Sequence, residues 1–158
     1  MEASGAPGDQ NRGMPKILAV DWGRVTLGLA VSDDLGLIAQ GLASLPRAGE
    51  AQDVEAIGSH IRNLGVGAIV VGLPKNMDGS LGASADAARA FAQVLHERLH
   101  VPVHLWDERL TTLAAERMLV GAGVRRRARR AVVNQVAATM ILQGFLDRQR
   151  ATGDRGDS

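Results

Sequence analysis

Residues 67–73, GAIVVGL, form a short unbroken apolar run between two stretches of helical spacing. An apolar run of that length is the pattern of a strand covered on both faces. The stretch before it, residues 50–64, spaces Val54, Ile57, Ile61 and Leu64 as one face of a helix. The stretch after it, residues 84–99, turns Ala87, Ala88, Phe91, Val94, Leu95 and Leu99 toward a core in the same way.

The chain opens differently. Residues 17–22 read as a strand, and 25–32 as its hairpin partner across a turn at Gly23-Arg24. A third strand over 38–45 is broken by Pro46, and VPVHLW (101–106) gives a further strand. Two helices follow, over 111–120 and 130–149, separated by a Gly-rich and Arg-rich connector. Three strands followed by strand–helix alternation predict an α/β domain: a mixed five-stranded sheet with helices on both faces. A chain of 158 residues accommodates one such core. The domain is expected over 16–150, between tails at 1–15 and 151–158 whose Gly, Pro and polar content predicts disorder.

Composition removes several function classes. There is no cysteine, which excludes disulfides and thiolate metal sites and fits a reducing cytoplasm. No apolar run approaches the ~20 residues of a membrane helix, and the first fifteen residues lack the apolar core of a secretory signal. Net charge is only +1, yet Arg125, Arg126, Arg127, Arg129 and Arg130 crowd into one segment. Such a cluster is either a solvated face or a phosphate-binding patch. With 3% aromatic residues and no tyrosine, base stacking is not the expected mode of nucleic-acid binding. Backbone contacts are.

Three features carry chemistry. Asp21 ends the first strand, WDERLTT (106–112) ends the last strand on Asp107-Glu108, and VVNQVAATMIL (132–142) lies in the final helix. Functional groups in an open sheet gather at the carboxyl ends of its parallel strands, so Asp21 and Glu108 are candidates for one cleft. Paired carboxylates suit Mg²⁺ or Mn²⁺, with phosphate and water completing the shell. Each has a structural rival: an Asx turn to Gly23 for Asp21, and a helix N-terminal charge for Glu108 ahead of a Thr111 cap. The segment GLPKNMDGS lacks the Lys-Ser/Thr ending of a P-loop. Histidines 60, 96, 100 and 104 show no metalloprotease spacing and read as structural.

The blocks AVDWGRVTLGLAVSD, VVGLPKNMDGSLGASADAARAFA, WDERLTT and VNQVAATMILQGFL, in this order and spacing, resemble the YqgF/RuvX family over residues 16–147. The resemblance implies an RNase H-like fold and a metal-dependent nuclease. Its implied tasks are trimming the 5′ end of precursor 16S ribosomal RNA or, alternatively, resolving Holliday junctions. It also implies that Asp21 and Glu108 are acidic metal ligands with catalytic roles. The family's third acidic position, in the last helix, is Asn134 here. An amide offers one neutral oxygen where a carboxylate would add a full charge, so metal binding at that position should be weaker. Asn134 shares a helical face with Ala138, Ile141 and Phe145, and is expected to face the sheet.

Arg24, Lys75 and Arg109 are further candidates for phosphate contact, each with ordinary surface charge as its rival. The expected partner is structured RNA or branched DNA, with no membrane. A homodimer with paired clefts would suit junction resolution. One other class stays open, a non-catalytic nucleic-acid binder; the opening of the first strand also resembles actin-like sugar kinases, but those need two such domains and 158 residues supply one.

Overall fold

The computed structural model describes residues 15–73, 83–107 and 126–156, with side chains described over 136–151 of the last segment. The described elements are β1 (Lys16–Asp21), β2 (Thr26–Ser32), β3 (Ala39–Pro46), α1 (Glu50–Leu64), β4 (Val66–Leu73), α2 (Ala83–Leu99), β5 (Val103–Asp107) and α3 (Arg126–Gly156). The helix expected over 111–120 lies outside the described residues.

The strands form one five-stranded sheet in the order β3-β2-β1-β4-β5. The β1–β2 and β2–β3 pairs are antiparallel, and the β1–β4 and β4–β5 pairs are parallel. The sheet is therefore mixed, as the element order predicted. β1 is its middle strand and faces protein on both sides. Leu18 and Val20 join Leu29, Ile69 and Val71 in a core closed by Val54 and Ile57 of α1 and by Ala88, Phe91 and Leu95 of α2. Ile17 and Ala19 join Ala30 and Val70 on the other face, where Ala138, Ile141, Leu142 and Leu146 of α3 close a second core.

The direction of α3 follows from its polar contacts. Gln143 Oε1 accepts the Ala39 amide at 2.9 Å, and its Nε2 donates to Leu37 O at 2.8 Å. Arg150 Nη1 donates to the same carbonyl at 3.3 Å. Leu37 belongs to the β2–β3 connection, at the sheet end where β1 begins; there the Ile17 amide donates to the buried Ser32 Oγ at 2.8 Å. The later part of α3 thus lies beside the start of β1, and its first turns lie toward Asp21.

Most boundaries shift by a single residue, and three of the differences have a clear physical reason. β5 begins at Val103, not at 101: the Ile69 amide bonds to Pro102 O at 2.9 Å, but Pro102 itself has no N–H to give a ladder. β3 runs 39–46, with Pro46 as its last residue. α3 begins at Arg126 and ends at Gly156, longer than the predicted 130–149. Arg and Ala are strong helix formers, so the Arg-rich segment from 126 onward is helix and not connector. At the other end the helix continues into the segment expected to be a disordered tail, carried by local bonding such as the Arg150–Asp147 pair at 2.7 Å.

Two of the glycines bear on how the helices end and pack. Gly65 ends α1 at φ 74°, donating its amide to Ile61 O at 3.0 Å. Gly144 lies under the indole of Trp106: a Cβ there would sit 3.0 Å from the ring carbon Cζ2. Trp106 in turn meets Phe145 edge-on at a centroid distance of 6.2 Å. This close approach seats the end of β5 against α3.

Gly144→Ala should accordingly fail to deliver the ~1 kcal/mol that alanine normally adds to a helix interior, because the added methyl overpacks the ring. In a Trp22→Phe background the remaining indole emission should shift, reporting displacement of Trp106. Unchanged emission together with raised stability would mean that the ring does not depend on this glycine.

Candidate active site

Asp21 is the last residue of β1 and is 4% exposed. Alternation along the strand puts it on the face of Ile17 and Ala19, the side covered by α3. Its cross-strand row is unusual in composition. It pairs with Gly28 on β2 and Gly72 on β4, and Gly72 pairs with Trp106 on β5. The carboxylate is thus flanked on both neighbouring strands by residues that add no side chain. Trp106 closes the row two strand spacings away, or about 10 Å.

Position 134 lies on α3, nearer its start than Gln143. Nine residues of helix separate it from Gln143, about 13 Å of rise. The four steps from Ile17 to Asp21 span about 13 Å of strand. Gln143 is anchored near the beginning of β1, and the helix segment before it runs toward the Asp21 end of the sheet. The residues one, two and three turns on, Ala138, Ile141 and Phe145, pack into the second core, the first two fully buried. By spacing Asn134 belongs to the same helical stripe as these residues, and its side chain lies outside the described ones.

The other predicted residues divide by location. Arg24 is exposed in the turn that follows Asp21. Arg126, Arg127, Arg129 and Arg130 lie in the first turns of α3, at the Asp21 end of the sheet. Glu108, Lys75, Arg109 and Arg125 lie outside the described residues. Asp107, the residue before Glu108, ends β5 in register with Leu73 at the carboxyl edge of the parallel strands.

Sequence inspection missed the group that holds the turn after Asp21. Arg47 Nη1 donates to Gly23 O at 2.9 Å, and its main-chain amide donates to Val25 O at 2.8 Å. Its guanidinium lies 5.3 Å from the Trp22 ring centroid and 5.5 Å from that of Phe91. Its Nε donates to Asp53 Oδ2 at 2.7 Å, and Asp53 is itself 2% exposed. Asp53 Oδ1 also accepts the Ala48 amide at 3.0 Å. The available signal was an acidic residue in the first turn of α1 shortly after a lone arginine, a pattern common enough to pass as capping.

The donor chemistry suits a hard divalent cation. A carboxylate at the carboxyl end of the middle strand, with glycines on either side, offers an oxygen ligand and room for phosphate oxygens beside it. Among the described residues no three His, Cys, Asp or Glu side chains cluster as a ready-made cage. That is the ordinary situation for Mg²⁺, which is held by one or two carboxylates together with substrate phosphate. The histidines do not compete for this role: His96 Nδ1 donates to Val101 O at 2.9 Å, and the His100 amide caps α2 on His96 O at 3.1 Å. A groove of about 850 Å³ between β5 and α3, lined by His104, Trp106, Asp107, Phe145 and Arg148, does not include Asp21.

Comparison with known proteins gives the family and the fold. A relative from Moorella thermoacetica, assigned as a pre-16S rRNA nuclease, is 51% identical over 87% of this chain and 99% of its own length. One from Halalkalibacterium halodurans with the same assignment is 50% identical over 85% of this chain and 98% of its own length. Among solved structures, Thermus thermophilus RuvC in complex with a Holliday junction substrate superposes with a TM-score of 0.56. That likeness covers 88% of this chain and 98% of the RuvC chain at 15% identity, and it gives the RNase H-like fold. The family described as RuvX, Holliday junction resolvase, matches residues 15–148, and the chain belongs to it.

Proposed function

We propose that the chain is a divalent-metal-dependent nuclease acting in the cytoplasm on the 5′ end of precursor 16S ribosomal RNA. Membership of a nuclease family gives the reaction class, hydrolysis of a phosphodiester. The names of relatives at about half identity over nearly their whole length favour the RNA substrate. The observation that carries the site is Asp21: a buried carboxylate at the carboxyl end of the middle strand, between Gly28 and Gly72.

In this proposal Asp21 and Glu108 hold Mg²⁺ or Mn²⁺, and Asn134 completes or orients the site. When bound, the cation activates an attacking water and neutralises charge at the scissile phosphate. The chain's own residues do the rest. Asp21, fixed by β1, keeps a ligand oxygen at one place. Arg24, Lys75 and Arg109 position phosphates near the cut. Arg125, Arg126, Arg127, Arg129 and Arg130 hold the backbone farther along, giving affinity without base preference. An amide in place of a carboxylate at 134 lowers the total negative charge, so the cation is bound more weakly there than at a three-carboxylate site.

A second possibility rests on the family's own description, that of a Holliday junction resolvase. Resolution needs two symmetric cuts, and so a homodimer.

Cleavage of 5′-extended 16S precursor RNA and of a four-way DNA junction, in Mg²⁺ and in Mn²⁺, separates these possibilities. Asp21→Asn should lower the rate at least a hundredfold, while Asn134→Asp should raise it and relieve any preference for Mn²⁺. Junction cleavage by a dimer, without RNA cleavage, would replace the RNA assignment. Nucleic-acid binding with no cleavage in either cation would make the chain a non-catalytic binder.

Salt dependence supplies an independent check on the arginines. Replacing Arg126 and Arg127 by Ala should flatten the slope of log K against log salt by roughly 0.7–0.9 for each lost phosphate contact. An unchanged slope would remove those two residues from the interface.

A further inference from the structure

Arg47 touches the Asp21 turn at more points than any cap requires. From one residue come a bond to Gly23 O, a bond to Val25 O and a cation–π contact with Trp22, so three of the four residues between β1 and β2 are held. The fourth is Arg24, exposed in the same turn. The guanidinium is itself fixed from behind by buried Asp53 at 2.7 Å and by the Phe91 ring. Asp53 sits in α1 and Phe91 in α2, so the turn is referenced to both helices on the far face of the sheet.

A guanidinium is needed for this. Its planar fork can direct one N–H at a carboxylate and another at a carbonyl while its face rests on an aromatic ring. A lysine ammonium can satisfy Asp53, but it cannot hold that geometry at Gly23 as well. A surface ion pair, such as Arg62–Glu55 at 3.2 Å with both side chains more than half exposed, has none of these constraints.

We infer that Arg47 is a positioning residue for the reaction, holding the Trp22–Val25 turn so that Asp21 and Arg24 keep fixed places at the end of β1. This rests on Asp21 being the metal ligand of the nuclease proposed above. Arg47 touches neither the cation nor the substrate. It acts through the backbone on either side of Arg24, and small displacements of such groups are costly in rate.

The test compares Arg47→Lys, Arg47→Met and the double variant Arg47→Met/Asp53→Asn, with Arg62→Met as control. The double variant avoids stranding a buried charge if Arg47→Met alone does not fold. Four quantities are read: melting temperature, amide exchange of the peptide spanning residues 21–26, Mn²⁺ affinity by electron paramagnetic resonance, and kcat. Arg47→Lys should regain much of the melting temperature lost in Arg47→Met. It should nevertheless exchange faster over 21–26, bind Mn²⁺ several-fold more weakly and turn over about tenfold more slowly. A folded Arg47→Lys or double variant with unsubstituted Mn²⁺ affinity and kcat would overturn the inference, whatever its melting temperature. Failure of the nuclease proposal shows separately, as absence of Asp21-dependent cleavage in the unsubstituted protein.

Discussion

Asp21 is ionisable, nearly closed to water and carried on the middle strand of the sheet, and a charged group so placed costs several kcal/mol unless its surroundings compensate. Much of the molecule bears on that compensation. β1 fixes the backbone of the residue through ladders on both sides. The row across the sheet supplies glycines where side chains would otherwise crowd it. α3 lies over the same face, with its first turns and their arginines at the same end. In the proposed function a bound cation adds to that compensation, and the glycines on either side of Asp21 leave room for one.

The two faces of the sheet divide the work. The face under α1 and α2 carries the larger aliphatic core, with Leu18, Leu29, Ile57, Ile69 and Leu95 fully buried. It also anchors the turn after Asp21 through Arg47 and Asp53. The face under α3 is built from smaller residues and from polar clamps such as Gln143. Stability resides largely in the α1/α2 layer, while the surroundings of Asp21 are built from both: the turn after it is held from the α1/α2 face and its own face is covered by α3.

Much of this was legible in the sequence, for physical reasons that differ by element. The run at 67–73 and the helix over 50–64 could be read because their periodicities have no strong competitor, and α1 occupies the range expected. Asp21 was legible because a carboxylate ending an apolar strand needs compensation. The beginning of α3 was not. Glycines at 121 and 123 suggest a break, and the arginines after them, described as helix from 126, have a helix propensity that is easily mistaken for loop polarity. Arg47 was invisible for another reason. Its partners at 22, 23, 25, 53 and 91 are scattered along the chain, and only the fold brings them to one guanidinium. The glycine row has the same character: Gly28 and Gly72 gain meaning only when the register sets them beside Asp21.

The second core contains Ala19 and Ala30 on the sheet and Ala138 on the helix, all with essentially no exposed surface. Side chains this short let a helix settle nearer to a sheet than leucines would. The alanine layer thus acts as a spacer whose thickness sets the gap between strand-borne and helix-borne groups at the end of the sheet. A single cation has a fixed bonding radius and spans only one such gap. Methylenes added at Ala19 or Ala138, a full helical turn from position 134, would change that thickness without touching a ligand. The calibration of a metal site would then reside in residues with no polar atom in their side chains.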